Sequence, residues 1–296
     1  MKRFIPITLL SWTVITCFSC QKIDSFMFEQ VATEAYLLDD YTGNSEVYLD
    51  SSYNIPLDQI HEITVQSGEE TIYGVYTGDL TTINQDTVIM YCHGNTGNID
   101  YYWTRQKLLA NVGGKNRFGV LMIDYKGYGK SEGTPTEGGL VEDINAGLGW
   151  LKDQGLTSDR LVIYGFSLGS YPSTYLSAVK NGTLVPSKLI LEAPFASTRV
   201  MVNDASKLSM NNNYYTSTDF EVADLIRDVE QPFLWLHGTH DDFLSIKTHG
   251  EIVYNNYGGS ASDKTAVRVD GADHSDLPTV YGFDEYIASI LDFLEK

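Results

Sequence analysis

Cysteine is nearly absent from this chain of 296 residues. Of the three cysteines, Cys17 and Cys20 stand in an N-terminal apolar stretch, so Cys92 has no partner within a mature fold. A disulfide framework is thereby excluded, and so is a cluster of thiolate metal ligands. Cys92 closes the apolar run Thr87 to Cys92 and reads as a packed strand residue. Positive charge is scarce as well: 20 Lys and Arg stand against 39 Asp and Glu, for a formal net charge of −19. Nucleic acid is therefore no partner, because its phosphates would be repelled, and no basic patch is available for anionic lipid. Long apolar runs are also missing. The mostly apolar stretch Phe4 to Phe18 is too short to cross a bilayer comfortably. No repeat or low-complexity array occurs.

What is present is an ample supply of core residues. Hydrophobic side chains make up 43% of the sequence, enough for one sizeable core in a single α/β domain. Lys2 and Arg3 ahead of the apolar stretch, followed by Ser19-Cys20 and the polar Gln21-Lys22, have the form of an export signal. The segment resembles a bacterial lipoprotein signal, in which a small residue precedes the cysteine that is cleaved and acylated. That resemblance implies a signal peptide over 1–19, lipid attachment at Cys20, and a membrane-anchored protein of the cell envelope, at the outer membrane or periplasmic face. Cys17, preceded by Thr16, is a rival attachment site, and it stands where such signals usually have leucine.

Residues 20–57 are polar and rich in tyrosine without a clear period, and read as a tether and lead-in segment. The domain proper is expected over 58–296. It opens with a hairpin: Ile63 to Gln66 and Thr71 to Tyr76 straddle the turn-rich Ser67-Gly68-Glu69-Glu70. From Thr87 onward, apolar strands alternate with helices, the pattern of a mostly parallel sheet covered on both faces. The strands are Thr87 to Cys92, Gly119 to Asp124, Leu161 to Gly165, Lys188 to Glu192, Phe233 to His237 and Ala266 to Val269. The helices are Asp100 to Val112, Thr136 to Gln154, Ser170 to Lys180, Ile246 to Tyr254 and Gly282 to Glu295. Leu140, Ile144, Leu148 and Leu151 recur at helical spacing, which marks a core-packing face. The stretch 194–231 breaks the rhythm and reads as a lid or cap insertion after the sixth strand.

Gly165-Phe166-Ser167-Leu168-Gly169 lies between the strand from Leu161 and the helix from Ser170. A serine there, flanked by glycines, has the form of a nucleophile elbow. The pentapeptide alone is a weak signal, so its context decides. A serine hydroxyl attacks only if a histidine takes its proton and an acid orients that histidine. In a doubly wound enzyme these follow in the order serine, acid, histidine, just beyond the carboxyl ends of strands. The strand Phe233 to His237 leads into Gly238-Thr239-His240-Asp241-Asp242, which offers two adjacent acids. The strand Ala266 to Val269 leads into Asp270-Gly271-Ala272-Asp273-His274. Of the six histidines, only His274 follows a strand downstream of the acid loop. His93-Gly94-Asn95-Thr96-Gly97-Asn98 follows the strand Thr87 to Cys92, where amides of Asn95 and Leu168 would receive an oxyanion.

With these segments in place, the chain resembles the α/β-hydrolase superfamily, and within it the Bem46-type serine hydrolases. The matching segments are the His93 to Asn98 loop, Asp124-Tyr125-Lys126-Gly127-Tyr128-Gly129-Lys130-Ser131-Glu132-Gly133, and Tyr164 to Ser170. Glu192-Ala193-Pro194-Phe195, His237 to Asp241 and Gly271 to His274 complete the set. The resemblance implies Ser167 as nucleophile, Asp241 rather than Asp242 as orienting acid, and His274 as general base. Asn95 and Leu168 would form the oxyanion hole, the Asp124 to Gly133 segment would be structural, and no cofactor or metal would be needed. Glu192 is a fallback acid, because some hydrolases of this fold take theirs from that position. The expected activity is hydrolysis of carboxylic ester or thioester bonds in a small-molecule or lipid-like acyl substrate, through an acyl-serine intermediate. A peptidase with the same triad, a surface deacetylase for sugar polymers, and an inactive surface-tethered binding protein are the competing readings. Oligomeric state is left open.

Overall fold

The computed structural model describes residues 21–22, 27–43, 45, 47–209 and 214–296. The expected signal peptide over 1–19, with Cys17, and the attachment site Cys20 lie outside the described residues. The centre is a sheet of eight strands: β1 (Ile60–Ser67), β2 (Glu70–Thr77), β3 (Val88–Cys92), β4 (Gly119–Ile123), β5 (Leu161–Phe166), β6 (Lys188–Glu192), β7 (Phe233–Gly238) and β8 (Lys264–Val269). Their order across the sheet is β8-β7-β6-β5-β3-β4-β2-β1. β1 and β2 form the expected antiparallel hairpin, β2 joins β4 antiparallel, and every pairing from β4 to β8 is parallel.

Eight helices are described: α1 (Ile99–Ala110), α2 (Glu137–Asp153), α3 (Ser170–Val179), α4 (Thr198–Ser209), α5 (Val222–Leu225), α6 (Gly250–Asn256), α7 (Leu277–Tyr281) and α8 (Phe283–Leu294). Strand side chains alternate between the two faces, so each apolar strand feeds two cores. Val88, Met90 and Cys92 of β3 pack with Leu140, Ile144, Leu148 and Leu151 of α2 and Leu176 of α3. Ile89 and Tyr91 turn the other way, toward Trp103, Leu108 and Leu109 of α1 and Ile290 and Phe293 of α8. Each buried leucine or isoleucine of the α2 stripe contributes about 2 kcal/mol by leaving water. The first turn of α2 is closed by Thr136, whose hydroxyl accepts the Gly139 N–H at 3.0 Å.

Three stretches differ from the reading of the sequence. The helix expected from Ile246 begins only at Gly250. The turn before it rotates His249 into the interior, where Nδ1 accepts the Ala196 N–H at 3.0 Å, and φ of −122° with ψ of −78° at His249 is not helical. The lead-in segment is no free tether from Met27 onward. Val47 and Ile55 are buried, Glu29–Gln30 pairs in parallel with Thr96–Gly97, and the Leu37 and Leu38 amides donate to Asp100 Oδ1 at 2.8 and 2.7 Å. It is a strap across the carboxyl end of the sheet, and its backbone is satisfied partly by short pairings with Gly97 and Gly129 and partly by buried side chains. Lastly, the ends of the 194–231 insertion are sunk in the core, with Phe195, Ala196, Phe220 and Val222 all buried.

Candidate active site

The sheet reverses its winding where β3 lies beside β5, because the chain runs outward from β3 to β4 and then crosses back to β5. Ligands in open α/β sheets bind at such a switch point, beyond the carboxyl ends of the strands. The register places those ends level: Cys92 is opposite Gly165, Glu192 is opposite both Phe166 and Leu236, and Gly238 is opposite Val269. Loops from β3, β5, β7 and β8 therefore converge on one spot.

At that spot Ser167 adopts φ of +50°, a left-handed conformation that costs a side-chain-bearing residue on the order of 1–3 kcal/mol. The turn is so tight that its flanks admit only glycine. A Cβ on Gly169 would lie 2.0 Å from the Cys92 carbonyl oxygen, and one on Gly165 would lie 2.5 Å from the Gly169 oxygen. Ser170 fastens the turn from the helix side, its hydroxyl donating to the Ser167 carbonyl at 2.6 Å. The elbow thus leans directly on the exit of β3. The Asn95 side chain is already engaged, with Oδ1 accepting the Tyr128 hydroxyl at 2.9 Å and the Glu29 amide at 3.0 Å. These two contacts fix the orientation of the Asn95 side chain.

Ser167 Oγ lies 2.9 Å from His274 Nε2, and His274 Nδ1 lies 2.8 Å from Asp241 Oδ2. Asp241 Oδ1 accepts the Phe243 and Leu244 amides at 3.0 and 2.6 Å. Because Asp241 accepts at Nδ1–H, His274 presents a bare Nε2 to the serine hydroxyl. Burial pushes the Asp241 carboxyl up, but hydrogen bonds from His237 and His274, the nearby His274 charge and the Leu244 amide outweigh it. The group is held well below the usual carboxylate range.

The competing acids are elsewhere. Asp242 sits one residue on, with its amide donating to Asp273 Oδ1 at 3.1 Å, and its side chain is exposed. Glu192 is wholly buried and bound to Arg105 NH1 at 2.8 Å, with the Tyr164 and Tyr286 hydroxyls on its other oxygen. Arg105 itself stacks over the Phe166 ring at 4.0 Å and donates to the Ser275 carbonyl at 2.8 Å, which braces the loop carrying His274. Asp273 ties that loop together, accepting the His274 amide at 2.7 Å as well as that of Asp242. The segment after β4 is structural in the same sense. Asp124 accepts the Tyr36 hydroxyl at 2.7 Å and lies 3.3 Å from His93 Nε2, and Ser131 donates back to the Asp124 carbonyl at 2.7 Å.

Sequence reasoning did not reach the part played by Arg105 or by His237. Arg105 stands mid-helix with nothing local to mark it. His237 precedes the acid in chain order, so the serine–acid–histidine rule gives it no role. Cys92 is a packed strand residue, and burial pushes its thiol up to about 12. Among the described residues, no group of three or more His, Cys, Asp or Glu is placed to hold a metal ion. Among them also, no helix is long and apolar enough to cross a membrane.

An elbow serine at the switch point, a histidine after β8 and an acid after β7 are set on an eight-stranded, mostly parallel sheet. The chain belongs to the α/β-hydrolase fold family, whose model matches residues 87–241. Among similar sequences is the uncharacterised protein YfhR of Escherichia coli (strain K12), 26% identical over 214 residues covering 71% of each chain. The human α/β-hydrolase domain-containing protein 17B is 28% identical over 215 residues, 72% of this chain and 68% of that one. Among solved structures, the Pyrococcus furiosus esterase Pf2001 superposes with a TM-score of 0.64 at 17% identity, covering 86% of this chain and 96% of that one. This last likeness is one of fold.

Proposed function

We propose that the protein is a serine hydrolase of the Bem46-type branch that cleaves carboxylic ester or thioester bonds through an acyl-serine intermediate. The observation that carries this reading is the unbroken chain of contacts from Ser167 Oγ through His274 to Asp241. His274 Nε2 takes the hydroxyl proton as Oγ bonds to the substrate carbonyl carbon. The carbonyl oxygen becomes an oxyanion facing the Leu168 and Asn95 amides, each such donor being worth about 10²- to 10³-fold in rate. The imidazolium then gives its proton to the leaving alcohol or thiol. Water attacks the acyl-serine by the same route, the carboxylic acid product leaves, and Ser167 Oγ regains its proton from His274. Asp241 holds the tautomer and stabilises the imidazolium throughout.

A cavity of about 560 Å³ lies beside the strap and the insertion, with Phe28, Gln30, Thr136, Glu137 and Thr218 among its lining residues. Glu29, between two lining residues, donates its amide to Asn95, and Glu137 accepts the hydroxyl of Tyr171, which lies on α3 just beyond the elbow. Lipid attachment at Cys20 would hold the enzyme at the cell envelope, and Cys20→Ala should release it from membranes.

The test is reaction with a fluorophosphonate probe, with the adduct mapped by mass spectrometry. The expected adduct is on Ser167, and it should be lost in Ser167→Ala and in His274→Ala. A folded protein that takes no adduct, or takes it elsewhere, overturns the reading.

A further inference from the structure

The Asp241 carboxylate is contacted by two histidines, and only His274 reaches the serine. His237, near the end of β7, is fully buried. Its Nε2 lies 2.9 Å from the Leu244 carbonyl oxygen and 3.2 Å from Asp241 Oδ2, the same oxygen that receives His274 Nδ1. Both neighbours of this nitrogen are acceptors, so it must carry the hydrogen. The other ring nitrogen supports the same tautomer. Nδ1 is buried without a hydrogen-bond partner and lies against the backbone of Gly250, where an added Cβ would come within 2.3 Å. A proton on Nδ1 would be stranded there.

We propose that His237 is a positioning residue for the reaction, a neutral Nε2–H imidazole that shares the triad carboxylate with His274 and fixes the turn that cradles it. Its single N–H joins the Leu244 carbonyl to Asp241 Oδ2, while the Leu244 amide grips Oδ1. Rotation of the carboxylate away from His274 would break both holds. The His237 N–H on Oδ2 also spreads the charge of the carboxylate over two donors, so its hold on the His274 ring depends on both. The remaining charged and titratable groups around this pair stay in place in the test. They are His240 and Asp242 after β7, Asp273 and Asp276 after β8, His249 with Asp204 of α4 on one side, and Arg105 with Glu192 on the other.

This inference rests on the reading of Ser167 as nucleophile, and one measurement separates the two. The rate of fluorophosphonate labelling of the full chain is followed against pH, since its acid limb reports deprotonation of His274. In His237→Phe, which keeps the ring but removes the donor, the maximal rate should fall about tenfold. The acid limb should shift by about half a unit to one unit. His237→Gln, which restores an N–H, should recover most of both. An acid limb unmoved in a folded His237→Phe protein, or a Gln variant no better than Phe, overturns the proposal. Should the Phe variant fail to fold, nitrogen-15 spectra of the wild-type histidine rings decide it. His237 is expected as the Nε2–H tautomer, and an Nδ1–H tautomer refutes the assignment. Wild-type protein that takes no label at Ser167 strikes at the hydrolase reading instead, and the ring spectra still judge His237.

Discussion

Glu192 and Asp241 are both buried carboxylates at the carboxyl ends of neighbouring strands, and the difference between them lies in their partners. Glu192 meets the Arg105 guanidinium and two tyrosine hydroxyls, all of them donors that hold it in place. Asp241 meets two histidines and two backbone amides, and one of those histidines reaches on to a serine. The first carboxylate is neutralised by a fixed cation that cannot release its proton. The second faces a ring whose proton can leave and return. A strand-end acid therefore serves structure or chemistry according to what faces it, and strand position alone does not settle which.

The sharpest way to break this contrast is to remove one charge at a time. Asp241→Asn keeps the shape but favours the wrong His274 tautomer, and the rate of Ser167 labelling or ester turnover should fall by about 10⁴-fold. A loss under tenfold would show that another group orients His274. Glu192→Gln should do the opposite. It leaves Arg105 as an uncompensated buried charge, so thermal or urea unfolding should show a loss of about 3–5 kcal/mol. Labelling of the folded fraction should stay within tenfold of wild type, and a collapse comparable to Asp241→Asn would erase the distinction drawn here.

Acid provides a third, smaller separation through His249, which stands behind His237. Burial pushes its imidazole down to about 4 from an ordinary value of 6.5, despite the attraction of Asp204. The unfolded chain therefore binds a proton below pH 6.5 that the folded chain refuses until about pH 4. Stability falls as pH falls through that window and levels off beneath it, by about 2–3 kcal/mol in all. His249→Asn, whose side-chain oxygen can still accept the Ala196 N–H, should flatten the melting-temperature profile over this range. Asp241 works lower down. Its depressed value stabilises the fold above the ordinary aspartate range and is lost only as pH falls through and below it. The smallest effect is reserved for Asp242→Asn, which should change labelling by no more than about twofold. A larger loss there would move the acid one residue along.

Much of this was legible in the residues themselves. The elbow announced itself through Gly165 and Gly169, because only glycine fits where the turn touches β3. His274 could be picked out by chain order, and the continuous apolar runs of β3 to β7 reflect burial on both faces. The strap was not legible. Residues 27–57 carry no periodic signal because their contacts are made one at a time, with Asp100, Asp124 and Asn95, all far away in the chain. The start of α6 was misplaced for a related reason: His249 leaves the helical path to accept a hydrogen bond from Ala196, 53 residues earlier.

The sequence by itself determined the strand order, five of the eight described helices, the elbow, and the set of residue types able to carry acyl transfer. These follow from local rules: the two-residue period of strands, the steric freedom of glycine and the order of loops along a wound sheet. Only the tertiary structure decided which acid faces His274, what neutralises Glu192, and that His237 shares the Asp241 carboxylate. Those are contacts between residues brought together by the packing of β5 to β8 and α1, and in a buried, weakly screened interior the partner within hydrogen-bond reach determines what a charged group does.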